Sequence, residues 1–193
     1  DLVRSRGLGD VYKRQDVELR LDANGAFTPE NAMERLTRLS EFRIHSIEQP
    51  IRQGQWEEMA RLCSESPIPI ALDEELIGPN ASGIKEKMLD MVQPQYIILK
   101  PTLCGGFLGS DQWIELADRR GIGWWATSAL ESNIGLNAIA QWVAAKEPQL
   151  PQGLGTGQLY FNNITSPLTL HADRLVYAAD KAWEIPDMEW MEC

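Results

Sequence analysis

The chain of 193 residues carries a formal net charge of −10, which excludes the basic face a nucleic-acid binder needs to neutralise phosphates. Its hydrophobic content of 44% and its seven Trp supply a sizeable core and exclude a disordered chain. No apolar run approaches the roughly 20 residues of a membrane span, so neither nucleic acid nor membrane is an expected partner.

Residues 1–15 stand apart. They are basic in an acidic chain and show neither strand alternation nor a helical stripe, so the expectation is a non-native segment, with the regular pattern beginning at Asp16. Residues 17–21 alternate apolar and polar, as a strand does, and lead to Asp22. Thr28 and Pro29 start a helix: Thr28 can cap, and Pro29 loses nothing at the first position. Met33, Leu36, Leu39 and Phe42 form its predicted stripe. Residues 44–47 are the next strand, leading to Glu48. Trp56, Met59, Ala60 and Cys63 mark a second helix, and Pro67 and Pro69 interrupt before the strand 70–72, which delivers Asp73.

Ile84, Met88 and Met91 stripe a third helix. Residues 96–99 form a continuous apolar run, typical of a parallel strand covered on both faces, and deliver Lys100. Trp113, Ile114, Leu116 and Ala117 suit a fourth helix, ended by Gly121. Residues 124–127 lead to Ser128, and 134–145 read as helix. The Gly-rich stretch 153–157 falls where a sixth strand is due. The tail contains 168–170 and 175–177, which read as short strands packing outside the main unit. The expected organisation is thus 1–15 non-native, 16–160 a catalytic (β/α) unit, and 161–193 a tail.

Asp22, Glu48, Asp73 and Lys100 follow one another at steps of roughly 26 residues, the length of one strand, one helix and two loops. The fold class is therefore α/β, a partial TIM-type (β/α) barrel with one functional side chain at the C-terminal end of each strand. The chain is short of the roughly 250 residues of a complete eightfold barrel. A lone Asp in such a loop usually caps a helix, and a buried Lys at a strand end is usually a structural ion pair. The ordered series Asp, Glu, Asp, Lys is what points further. Three carboxylates from adjacent strands suit Mg²⁺, with Mn²⁺ as a substitute, because hard cations take oxygen ligands. The only histidines, His45 and His171, are far apart, and no HExxH suggests zinc. A metal facing an ammonium can stabilise an enediolate, the product of proton abstraction beside a carboxylate. Cys63, Cys104 and Cys193 are an odd set without CxxC spacing, which suits reduced thiols and a cytoplasmic location.

The segments Leu21-Asp22-Ala23-Asn24, Glu48-Gln49-Pro50, Leu72-Asp73-Glu74-Glu75 and Leu99-Lys100-Pro101 resemble the enolase superfamily in its muconate-lactonizing branch. Lys100-Pro101-Thr102-Leu103 with Gly105-Gly106, together with residues 127–136, is most similar to the o-succinylbenzoate synthase family of menaquinone biosynthesis. The resemblance runs from about Asp16 to about Leu170 and implies a C-terminal barrel domain. It implies Asp22, Glu48 and Asp73 as Mg²⁺ ligands and Lys100 as the catalytic cation facing a small carboxylate substrate. Asn24 and Glu74 would orient the ligands or face the substrate. Ser128, Glu131 and Ser132 would lie near the substrate's succinyl side, and Gly153 and Gly155 would let the backbone approach it. The implied reaction is a syn-dehydration of a cyclohexadiene carboxylate to an aromatic product.

The departures carry their own expectations. Family members place the acid/base on a Lys-x-Lys one strand before the Asp22 strand, and none stands before Asp22 here. The N-terminal capping domain and the first barrel strands are also missing. The chain is therefore expected to be truncated at its N-terminus and to have little dehydratase activity alone, with exposed barrel edges prone to self-association. Within the branch the alternatives are an N-acylamino acid racemase and a dipeptide epimerase. The epimerase is disfavoured, because 153–157 holds no acid. Outside it, the alternative is a non-catalytic metal-binding barrel fragment.

Overall fold

The computed structural model describes residues 18–78 and 81–185; the segment 1–15 set apart by its composition lies outside them. Strands β1 (Leu19–Asp22), β2 (Ile44–Glu48), β3 (Ile70–Leu72), β4 (Tyr96–Leu99) and β5 (Gly123–Ala126) form one parallel sheet in sequence order. Each parallel crossover carries a helix: α1 (Pro29–Leu39), α2 (Trp56–Glu65), α3 (Ser82–Val92) and α4 (Gly106–Asp118), with α5 (Asn133–Ala144) after β5. No strand is skipped, which is the order of a barrel wall and not of a doubly wound sheet. This is the partial (β/α) barrel that the charge spacing predicts.

The period-two alternation of the strands divides their side chains between two layers. Ile47, Ile70, Leu72, Ile97 and Leu99 join the large core with Leu36, Met59, Leu62, Met88 and Trp113 from the helices. Ala71, Ile98 and Trp125 form a separate cluster on the other face. On that face Arg20 of β1 lies over the Trp125 ring at 4.2 Å and donates to the Pro151 carbonyl at 3.0 Å. A side chain of the first strand thus meets the fifth strand and the segment beyond it, so the sheet is curled into a trough.

Local signals explain the start of α1. Thr28 and Asn31 form a reciprocal capping box at α1, with Pro29 in its first turn. The stripe fails at Phe42, which is 65% exposed, because α1 ends at Leu39 and a short 3₁₀ turn leads to left-handed Arg43. The predicted face of α3 is also corrected. Ile84 and Met91 are exposed, while Lys85, Met88, Leu89 and Val92 are buried. A buried lysine disguises the true stripe: its ammonium donates to the Gly109 carbonyl at 2.9 Å and to Gln112 Oε1 at 3.1 Å, beside the Trp113 ring.

The sixth strand is corrected too. It shrinks to one parallel bridge, Thr127 to Gly153, before a 3₁₀ turn at Gly155–Leu159. Gln152 takes the Ala126 N–H with its side chain, and of the stretch beyond only Leu154 joins the core, between glycines that have no side chain to pack as a strand. Further on, β6 (Leu168–His171) and β7 (Arg174–Tyr177) pair as an antiparallel hairpin, with Leu168 and Leu175 against the main core. No helix among the described residues is long and apolar enough to cross a membrane.

Candidate metal centre and active-site mouth

Register brings the acids together. Asp22 pairs with Glu48 at the ends of β1 and β2, and Glu48 pairs with Ala71, two residues before Asp73. Asp73 leaves β3 into a 3₁₀ turn at Glu74–Leu76, and Lys100 leaves β4 into a hydrogen-bonded turn whose Leu103 and Cys104 N–H groups both return to its carbonyl. All four sit at the C-terminal ends of adjacent strands, where barrel sites are built.

Asp73 is 1% exposed, and Lys100 Nζ donates to its Oδ2. Its other oxygen, Oδ1, is buried without a hydrogen-bond partner. Burial pushes the Glu48 carboxyl up to about 8, and the charges of Asp22 and Asp73 push the same way, against Lys100. Glu74 is raised by burial and by the same neighbours. For Lys100, burial opposes the charge, but the bond to Asp73 and the charges of Asp73, Glu48 and Glu74 outweigh it and raise the ammonium above its ordinary value.

This donor set fits a hard divalent cation in kind. The atoms are carboxylate oxygens, one is buried and unpartnered, and the local negative charge is under-compensated. The side chains do not close on one point: among the described residues no three His, Cys, Asp or Glu converge as a metal cluster. Asp73 is engaged by Lys100 instead, as expected where carboxylates crowd one cation.

The remaining predicted residues divide. Asn24, left-handed at φ +47°, donates its backbone N–H to Asp22 Oδ1 at 2.7 Å, so it orients that acid through the main chain. Ser128 is buried, contacts the Thr156 hydroxyl and accepts the Leu130 N–H at 3.2 Å. Glu131 Oε1 accepts from Thr102 and from the Ala129 N–H, which ties the Lys100 loop to the loop after β5. Ser132 is exposed at the start of α5 and makes no capping bond. At Gly153 a Cβ would stand 3.0 Å from Thr127 Oγ1, so the neighbouring strand explains that glycine; at Gly155 it would meet open space. The chain does hold one Lys-x-Lys, Lys85-Glu86-Lys87, but it lies in α3, with Lys85 buried against α4 and not at a strand end. Sequence reasoning missed Gln49, Thr102 and Thr156, although Gln49 and Thr102 both sat in quoted motifs.

Curated relatives match most of the chain. The o-succinylbenzoate synthase of Desulfotalea psychrophila (strain LSv54) is 63% identical over 164 residues, covering 85% of this chain and 44% of that protein. An N-succinylamino acid racemase from Amycolatopsis sp. is 29% identical over 161 residues, covering 83% and 43%. The crystal structure of MenC from Desulfotalea psychrophila LSv54 superposes with a TM-score of 0.80 at 63% identity, over 83% of this chain and 45% of that one. The chain thus spans less than half the length of the curated relatives it matches. The family model described as enolase C-terminal domain-like matches residues 4–180, and the chain belongs to that family.

Proposed function

We propose that this chain carries the metal and cation face of an o-succinylbenzoate synthase site. The reaction is the syn-dehydration of 2-succinyl-6-hydroxy-2,4-cyclohexadiene-1-carboxylate to o-succinylbenzoate: the proton α to the ring carboxylate is abstracted and the hydroxyl leaves, releasing water. The observation that carries the reading is the ordered set Asp22, Glu48, Asp73 and Lys100 on four adjacent strand ends, in a chain 63% identical to a synthase of that name. The three acids would hold Mg²⁺, for which Mn²⁺ would substitute. When bound, the cation neutralises the substrate carboxylate as its α-carbon loses a proton.

The chain's own residues do the rest of what can be assigned. Lys100 is held charged by its acidic neighbours, so it serves as a fixed cation toward developing negative charge and is a poor proton acceptor. Asn24 fixes one oxygen of Asp22. Thr102 and Glu131 hold the Lys100 loop against the β5–α5 loop, so the cation's supporting turn does not drift. By the resemblance, Ser128, Glu131 and Ser132 would lie near the succinyl chain.

Calorimetric titration with o-succinylbenzoate, with and without Mg²⁺, tests this reading. The prediction is binding that requires Mg²⁺ and exceeds binding of an N-succinylamino acid. Equal affinity with and without the ion would overturn it, and preference for the N-succinylamino acid would favour the racemase.

A further inference from the structure

Gln49 follows Glu48 directly, is 1% exposed, and has a left-handed backbone at φ +38°. Side chains other than Asn, Asp and Gly seldom adopt that conformation, and it persists where surrounding bonds over-determine it. Here they do. The Gln49 N–H donates to the Ala71 carbonyl at 2.9 Å, and its carbonyl accepts the Gly25 N–H at 2.7 Å. Its side-chain Oε1 accepts the Asp73 N–H at 3.2 Å, and its Nε2 donates to the Ile51 carbonyl at 3.0 Å.

These bonds reach the segments of all three acids. Gly25 belongs to the turn that also bonds Asp22, Gln49 adjoins Glu48, and the Asp73 N–H is bound by the side-chain amide. The left-handed turn takes the main chain off β2 while the amide stays buried between the first and third loops. The amide is matched on both its ends, donor to Ile51 and acceptor from Asp73, so its orientation is fixed.

We infer that Gln49 is a positioning residue that sets the mutual placement of Asp22, Glu48 and Asp73, and thereby the affinity of this mouth for a divalent cation. The inference rests on the proposed metal reading. Gln49→Met keeps the length and removes both amide groups. Gln49→Asn keeps an amide that tolerates the left-handed backbone but is one methylene too short to reach the Asp73 N–H. Mn²⁺ titration followed by electron paramagnetic resonance reads free ion directly, and near-ultraviolet circular dichroism reports the fold. Each folded variant is expected to bind Mn²⁺ about 10- to 100-fold more weakly than the parent chain, the usual effect of removing a ligand's support. If Gln49→Met does not fold, Gln49→Asn decides. A folded variant that binds Mn²⁺ as the parent does would overturn this role alone, whereas a parent chain that binds no Mn²⁺ would overturn the metal reading and this inference together.

Discussion

Lys100 and Asp73 form an ion pair at the strand ends. The acid is almost fully buried, and one of its oxygens has only the lysine as a visible partner. Removing the ammonium by Lys100→Met leaves an uncompensated buried charge, which costs about 3 kcal/mol or more. Urea denaturation at neutral pH should show that loss. A second residue carries strain of another kind. Leu130 is left-handed at φ +65° and 52% exposed, so its side chain contributes little packing to offset the backbone. Leu130→Gly is expected to leave the fold intact and raise stability by about 0.5–1 kcal/mol, read as an upward shift in melting temperature.

At the scale of elements, the packing of α3 against α4 supports the Lys100 loop. A Cβ on Gly109 would stand 2.2 Å from the Cys104 carbonyl oxygen, so α4 and the loop can meet this closely only at a glycine. Gly109→Ala should destabilise the chain by about 2–3 kcal/mol, measurable by chemical denaturation, through backbone displacement at the Lys100 turn. Lys85, on the facing helix, is lowered from its ordinary 10.5 because burial disfavours the charge. Between its folded value and 10.5 the unfolded chain binds more protons than the native one, so native stability rises with pH there. Stability measured against pH should therefore climb toward pH 10.5 in the parent relative to Lys85→Met; parallel curves would contradict the lowering of Lys85 by burial.

The same elements show what the sequence makes legible. The run 96–99 reads as a strand because parallel strands are covered on both faces, and Thr28-Pro29 reads as a helix start because both residues act locally. The face of α3 does not, since a buried lysine breaks the apolar stripe and its partner carbonyl on α4 is distant in sequence. The sixth strand does not either: glycines at the right spacing mark a position in the barrel, not a ladder of hydrogen bonds. Gln49 stays hidden because its conformation and its bond to Asp73 exist only once β2 and β3 are paired.

On the scale of the whole molecule, the trough explains why the acids meet at all. Charges at steps of one βα unit share one rim only if the strands are parallel and adjacent in order, as they are. The outer side of β1 has no strand partner among the described residues, and an unpaired edge invites pairing with another chain. Sedimentation velocity over a range of concentrations should show self-association of this chain; a single monomeric species throughout would contradict it. The central claim is that Asp22, Glu48 and Asp73 together hold one divalent cation. Calorimetric titration of the chain with Mg²⁺, beside Asp73→Ala, tests it most directly. The account predicts one site in the parent chain that is lost in the variant; no binding by the folded parent, or equal binding by both, would contradict it.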